Sequence, residues 1–194
     1  MKKSIFQLSL LLFLVGSSPV FSQGFTPPAD GNACVYFVRV TAYGGVMPFE
    51  FFHERQIIGR IMGLSYMRYE LPAGEALLWT SSENKVFVEC DLAAGGTYLC
   101  LVNVKMGMWT ARVDLEPIDE DNEDFQRVCD HVLDKGPMEV TQESLDESQQ
   151  KLEERGFIEE MLEKYESKWK KDKKITKQMT ADMAIPVDVL PKLE

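Results

Sequence analysis

The side chains with most chemical capacity in this chain of 194 residues are four cysteines, two histidines and a surplus of carboxylates. Cys34, Cys90, Cys100 and Cys129 are candidates for disulfides, metal ligation or nucleophilic work. There is no CxxC, and a tetrahedral zinc site would have to gather scattered residues around His53 or His131. No metal or other cofactor is expected. The acidic stretch Asp119-Glu120-Asp121-Asn122-Glu123-Asp124 lacks calcium-loop spacing, because Phe125 stands where a glycine is needed. No GxSxG, P-loop, GxGxxG or HExxH occurs. Gly44-Gly45 and Gly95-Gly96 have no Lys-Ser/Thr after them and read as turns. No pair of acids stands out for acid–base work. The chain is expected to be non-enzymatic.

Aromatic rings offer a different chemistry. Phe49, Phe51, Phe52, Tyr66, Tyr69 and Trp79 crowd the middle of the chain. Exposed rings on a β-sheet stack on sugars or peptide groups. Phe49, Phe51 and Phe52 are therefore the candidate ligand aromatics, for a glycan or a peptide. Phe51-Phe52 puts a ring on each face of one strand, so one ring is expected at the surface. Core packing is the competing reading, because aromatics favour half-buried strands.

The elements that must position these groups are β through the first half. From Ala33 to about Glu116, short runs rich in Val, Tyr, Phe and Ile are punctuated by Gly, Pro and Asn. Eight strands are expected near 33–41, 47–53, 56–61, 65–71, 75–81, 85–92, 97–105 and 108–116. In the last, Trp109, Ala111, Val113 and Leu115 alternate with polar residues, which predicts one buried face. Strands 85–92 and 97–105 read as a hairpin across Ala93-Ala94-Gly95-Gly96. In that register Val86 faces Val104, Val88 faces Val102, Cys90 faces Cys100 and Leu92 faces Tyr98. Cys90 and Cys100 are thus the candidate disulfide. Two buried free thiols are the alternative.

After Pro117 the pattern turns helical. Acids lead into Phe125, Val128, Cys129, Val132 and Leu133, an amphipathic stripe closed by Gly136-Pro137. Thr141 is a candidate N-cap for a second region reaching about Lys171, and Gly156 divides it into two helices or one kinked helix. Ile158, Met161, Leu162, Tyr165 and Trp169 share a face there. That face is the candidate contact surface for an envelope protein partner, with docking onto the protein's own sheets as the alternative. The tail, 175–194, is expected to be extended or loosely packed, since Pro186 and Pro191 resist helix.

Charge narrows the partners. The net charge is −10, which argues against nucleic acid and against anionic lipid. Residues 116–166 hold 18 acids and 5 bases, followed by six lysines within 167–177. Acids early and bases late suit helix dipoles. At the other end, Lys2-Lys3, the apolar run Ile5–Val15 and Val20-Phe21-Ser22 have the three-part layout of a cleavable signal peptide. The run is shorter than the roughly 18–20 apolar residues of a span, and no cysteine follows it for lipid attachment. A periplasmic or outer-surface location, without a lipid anchor or a transmembrane span in the mature chain, is expected.

Tyr36-Phe37-Val38-Arg39, Gln56-Ile57-Ile58-Gly59 with Tyr66, Leu71-Pro72-Ala73-Gly74 and Ala94-Gly95-Gly96-Thr97-Tyr98 carry a family likeness. Over about 33–116 the chain resembles the secreted bacterial β-sandwich family catalogued as domain of unknown function 2846. The resemblance implies an envelope-located all-β domain and no catalytic residues. Many members carry a lipoprotein cysteine, which this chain lacks, and a second aromatic where Leu99 stands. The expectation is a mainly β protein: an antiparallel β-sandwich with a helical C-terminal extension. Its parts are a signal peptide (1–22), a leader (23–32), the sandwich (33–117), the helical extension (118–174) and the tail (175–194). The expected role is a non-enzymatic binding or structural module of the cell envelope.

Overall fold

The computed structural model describes residues 24–192 apart from positions 44, 46 and 110; the expected signal peptide lies outside the described residues. Eight strands form near the expected places: β1 (Asn32–Arg39), β2 (Phe49–His53), β3 (Gln56–Ile61), β4 (Ser65–Pro72), β5 (Gly74–Ser81), β6 (Lys85–Leu92), β7 (Thr97–Met106) and β8 (Ala111–Ile118). Helices α1 (Phe125–Asp134), α2 (Gln142–Glu154) and α3 (Phe157–Lys164) follow, and α3 runs into a π-helical turn, Tyr165–Trp169. A further strand, β9 (Thr176–Met179), comes from the tail. The protein is mainly β, with its helices toward the C-terminal end.

The strands make two sheets, in the orders β4-β1-β7-β8 and β3-β2-β5-β6-β9. Both are mixed. β1 runs parallel to β7, and β6 parallel to β9, while the other pairs are antiparallel. The expectation of an antiparallel fold is corrected at those two pairs. Each joins strands separated by a long stretch of chain, and parallel neighbours need such crossovers.

Alternation along the strands sorts the side chains into three apolar clusters. Val35 and Phe37 of the first sheet share one cluster with Phe51, Leu78, Val86 and Val88 of the second. The opposite face of the first sheet presents Tyr36, Val38, Leu99 and Leu101, which pack with Val128, Cys129 and Val132 of α1 and with Ile185 and Leu190 of the tail. The opposite face of the second sheet presents Phe52, Trp79 and Phe87 to Ile158, Met161 and Tyr165. Each sheet therefore has large apolar side chains on both faces, and the C-terminal chain covers those on the outer faces. The tail is correspondingly packed rather than loose, because Met179, Ile185 and Leu190 are buried.

The expected hairpin of β6 and β7 is not formed. β6 pairs with β5 and β9, and β7 with β1 and β8. Ala93–Gly96 is an arch between sheets. Gly95 adopts φ 78° and donates to the Asn32 carbonyl at 2.7 Å. The Ala93 amide donates to the Tyr98 hydroxyl at 2.8 Å. A Cβ on Gly96 would lie 2.7 Å from the Tyr98 ring and 2.9 Å from the Ala93 carbonyl oxygen. The pairs Val86/Val104 and Cys90/Cys100 do contribute to one core, but from different sheets. An apolar alternation marks a buried face equally well whether its partner lies beside it or opposite it.

Two outcomes are expected from these contacts. Gly96→Ala crowds the arch and lowers stability by about 1–3 kcal/mol, read as a lower urea midpoint. Glu70 accepts hydrogen bonds from Ala29 N–H, Asn32 and Arg68, tying the segment before β1 to β4. These bonds pull its carboxyl from 4.5 down to about 2. A depressed carboxyl stabilises the fold above its unfolded value, and that part is lost as pH falls from 4.5 toward 2. Glu70→Gln should be less stable than the native protein at pH 6, and urea melts should show the gap closing toward pH 2.

Candidate functional site

The candidate residues read from the sequence are inside the molecule. Phe49 and Phe51 belong to the core shared by the two sheets, and Phe52 stacks on Trp79 at 3.9 Å between ring centroids beneath the helices. The three are 1%, 0% and 1% exposed, which corrects the expectation of an accessible ring. Phe51 and Phe52 do point to opposite faces, but the outer face is covered by the helices where Phe52 lies. The helix face Ile158, Met161, Leu162, Tyr165 and Trp169 is likewise corrected from a free surface to a cover. Tyr165 stacks on Phe87 at 4.7 Å, Trp169 lies 5.9 Å from the same ring, and Leu162 packs against this cluster. The Trp79 indole N–H donates to the Glu54 carbonyl at 2.7 Å.

The thiols are also enclosed. Cys34, Cys90, Cys100 and Cys129 are all free and buried, so the Cys90–Cys100 link across a hairpin is corrected together with the hairpin. Burial pushes the Cys34, Cys90 and Cys129 thiols up to about 12, and Cys100 well above its usual range. Nucleophilic cysteines are shifted the other way. Among the described residues no group of three or more His, Cys, Asp or Glu is placed to hold a metal ion.

A cleft of about 700 Å³ runs between the outer face of β5, β6 and β9 and the π-helical turn. Its centre is the Glu89 carboxylate, which accepts from the Tyr165 hydroxyl on one oxygen and from the Gln178 amide on the other. Burial, with Glu89 as the next cause, raises the Tyr165 phenol well above its ordinary value, so its proton stays in place near neutral pH. Each carboxylate oxygen thus carries one hydrogen bond, and the trio latches the helical turn and β9 onto β6.

The exposed chemistry lies at one end of the strands. Arg39 pairs with Ser65, Phe49 with Ile61, Ser81 with Lys85, and Met106 with Ala111. These pairs bring together the β1–β2 loop and the β3–β4, β5–β6 and β7–β8 turns. Asn84 ties the two sheets there, donating to the Val113 carbonyl at 2.7 Å and accepting from the Val113 amide at 3.0 Å. Tyr43, Met47, Met62, Leu64, Met106, Met108 and Trp109 all stand on these loops with much of their surface in water. Trp109 is 86% exposed, which corrects its expected place on the buried face of β8: the strand begins at Ala111, beyond it. Sequence reading missed this group because its members are scattered over three loops. The one local signal was Met106-Gly107-Met108-Trp109, large apolar residues where a tight turn ordinarily carries polar ones.

The loops are held from within. Arg39 is buried, its guanidinium 5.3 Å from the Phe49 ring centroid. It donates to the carbonyls of Thr41, Tyr43, Gly45 and Met47 at 3.3, 2.6, 3.1 and 3.3 Å, so one cation gathers the β1–β2 loop. Across the end, the Glu83 carboxylate accepts from the Met108 and Trp109 amides, both at 2.8 Å. The arrangement can present apolar side chains outward while its polar backbone groups are satisfied inward. Among the described residues no helix is long and apolar enough to cross a membrane.

No family model matches the chain, and no curated relative matches it either. The burial of the four thiols carries its own test. A chromogenic disulfide reagent should label the native protein slowly and reach four thiols per chain only after denaturation; rapid labelling of the folded protein would place a thiol at the surface.

Proposed function

We propose that this protein is a non-enzymatic binding module of the bacterial cell envelope, making contact through the loop end. One observation carries the reading: seven large apolar side chains stand in water on adjoining loops at one end of the strands. Large apolar side chains gathered in water at one end of a fold commonly mark a contact surface. The two sheets around a shared core are read here as a β-sandwich, a scaffold that commonly carries recognition on its end loops. The secretory layout of residues 1–22 and the resemblance of 33–116 to a secreted envelope family support the location. The burial of the four thiols, which holds their protons in place, supports a role without thiol chemistry.

The purified protein should co-sediment with isolated bacterial envelopes. The triple variant Met106→Ser/Met108→Ser/Trp109→Ser should lose about tenfold or more in apparent affinity, from the apolar area removed. Its far-UV circular dichroism should not change, because these side chains pack on little of the fold. Equal co-sedimentation by native and variant proteins would overturn the loop end as the contact surface.

A further inference from the structure

We propose that the loop end docks onto an anionic lipid surface, with its apolar side chains at the boundary of headgroups and acyl chains and a basic recess beside them taking a headgroup phosphate. This deepens the binding-module reading and rests on it.

The first support is the chemistry of the protruding residues. Met106, Met108 and Trp109 are 77%, 81% and 86% exposed at the tip of the β7–β8 turn. Trp has an apolar body with one polar N–H, and membrane interfaces favour that combination. Met is unbranched and adapts to an irregular medium. Tyr43, Met47, Met62 and Leu64 surround them on the neighbouring loops.

The second support is the backbone. A polar main-chain group entering an apolar phase costs several kcal/mol unless it is already paired. Here the Met108 and Trp109 amides are held by Glu83, and the carbonyls of Tyr43, Gly45 and Met47 by Arg39. Both anchors are the protein's own side chains. A lipid interior supplies no hydrogen bonds, and at these positions none is needed from it.

The third support is charge. The surplus of acids that sets the net charge is carried by residues 116–166, not by the loops. Around the loops stand Arg39, Arg60, Lys85, Lys105 and Arg112, against Glu50 and Glu83. Glu50 is paired with Arg60 at 3.0 Å, and Glu83 is taken up by the turn amides. Lys105 and Arg112 are cross-strand neighbours one residue behind the tip. With Lys174 and Met106 they line a recess of about 330 Å³, which also includes Asp114, itself 3.9 Å from Lys177. A basic hollow directly behind an apolar tip matches a headgroup phosphate behind its acyl chains. The overall charge argued against anionic lipid, but the local field at the contact decides docking, because charges more than about 10 Å away are largely screened at ordinary salt.

The test uses the full mature protein and large vesicles of phosphatidylglycerol with phosphatidylcholine, beside vesicles of phosphatidylcholine alone. The expected result is co-sedimentation with the anionic vesicles, weakened by salt. Trp79 is buried and Trp169 is packed on Phe87, so a blue shift and quenching by lipids brominated in the acyl chain should report Trp109. Both signals should vanish in Trp109→Ser. Lys105→Gln/Arg112→Gln should weaken binding to the anionic vesicles by about 25-fold, from roughly fivefold for each base. All three side chains are exposed, so these variants should keep the native circular dichroism. Absence of binding to anionic vesicles overturns the lipid inference, as does binding unchanged in Trp109→Ser. If vesicles fail while envelopes are still bound in a Trp109-dependent way, a protein occupies the loop end and the binding-module reading stands alone. If neither is bound, both readings fall.

Discussion

The arrangement of this fold follows from one constraint: each of its two sheets carries large apolar side chains on both faces. The sheets cover one face of each other, through Val35, Phe37, Phe51 and Val88 and their neighbours. That leaves Tyr36, Val38 and Leu101 on one outer face and Phe52, Trp79 and Phe87 on the other. Burying side chains of this size stabilises by about 1.5–3 kcal/mol each, so neither face can be left to water. The chain after Ile118 resolves this by wrapping both sides. α1 closes the first sheet, α3 and the π-helical turn close the second, and the tail then adds β9 to β6 before Ile185 and Leu190 return to the first sheet. α1, α3 and the π-helical turn thus serve as covers for the sheets.

The polar links at these seams serve the same end. Glu89 takes hydrogen bonds from Tyr165 and Gln178, joining β6, the helical turn and β9 in one contact. The Ile57 amide donates to Gln149 at 2.8 Å, and Gln149 donates back to the Arg55 carbonyl at 2.9 Å, fastening α2 along β3. Buried polar atoms in such seams need partners, and these partners come from opposite sides of each contact.

With the apolar parts of its sheet faces covered, the fold leaves most of its exposed large apolar side chains where strands end. That is where Met106, Met108, Trp109 and their neighbours stand. Their support is internal: a buried arginine collects four carbonyls in one loop, and one carboxylate caps the amides of another. The loops are thus pre-organised, which lowers the ordering cost of any contact they make. The chain separates its charge accordingly, with acids concentrated along the helices and bases behind the tips of the loops.

The order of strands and helices was legible in the residues themselves. Alternation in β6 and β8, the amphipathic stripe from Phe125 to Val132, the Thr141 cap and the left-handed Gly156 between α2 and α3 each depend on a few neighbouring side chains. Burial was legible too, since Val86, Val88, Cys90 and Leu92 all face a core. Pairing was not. A period of two says that a face is buried and nothing about which strand lies alongside, so the arch at Ala93–Gly96 looked like a hairpin. Accessibility was the other blind spot. Phe52, Ile158 and Trp169 each admitted a free or a packed reading, and the packed one holds: they cover one another, because residues far apart in sequence meet only when the chain folds back. For the same reason the apolar loop end could not be read in advance: its residues come from three loops, and only the strand register brings them to one place.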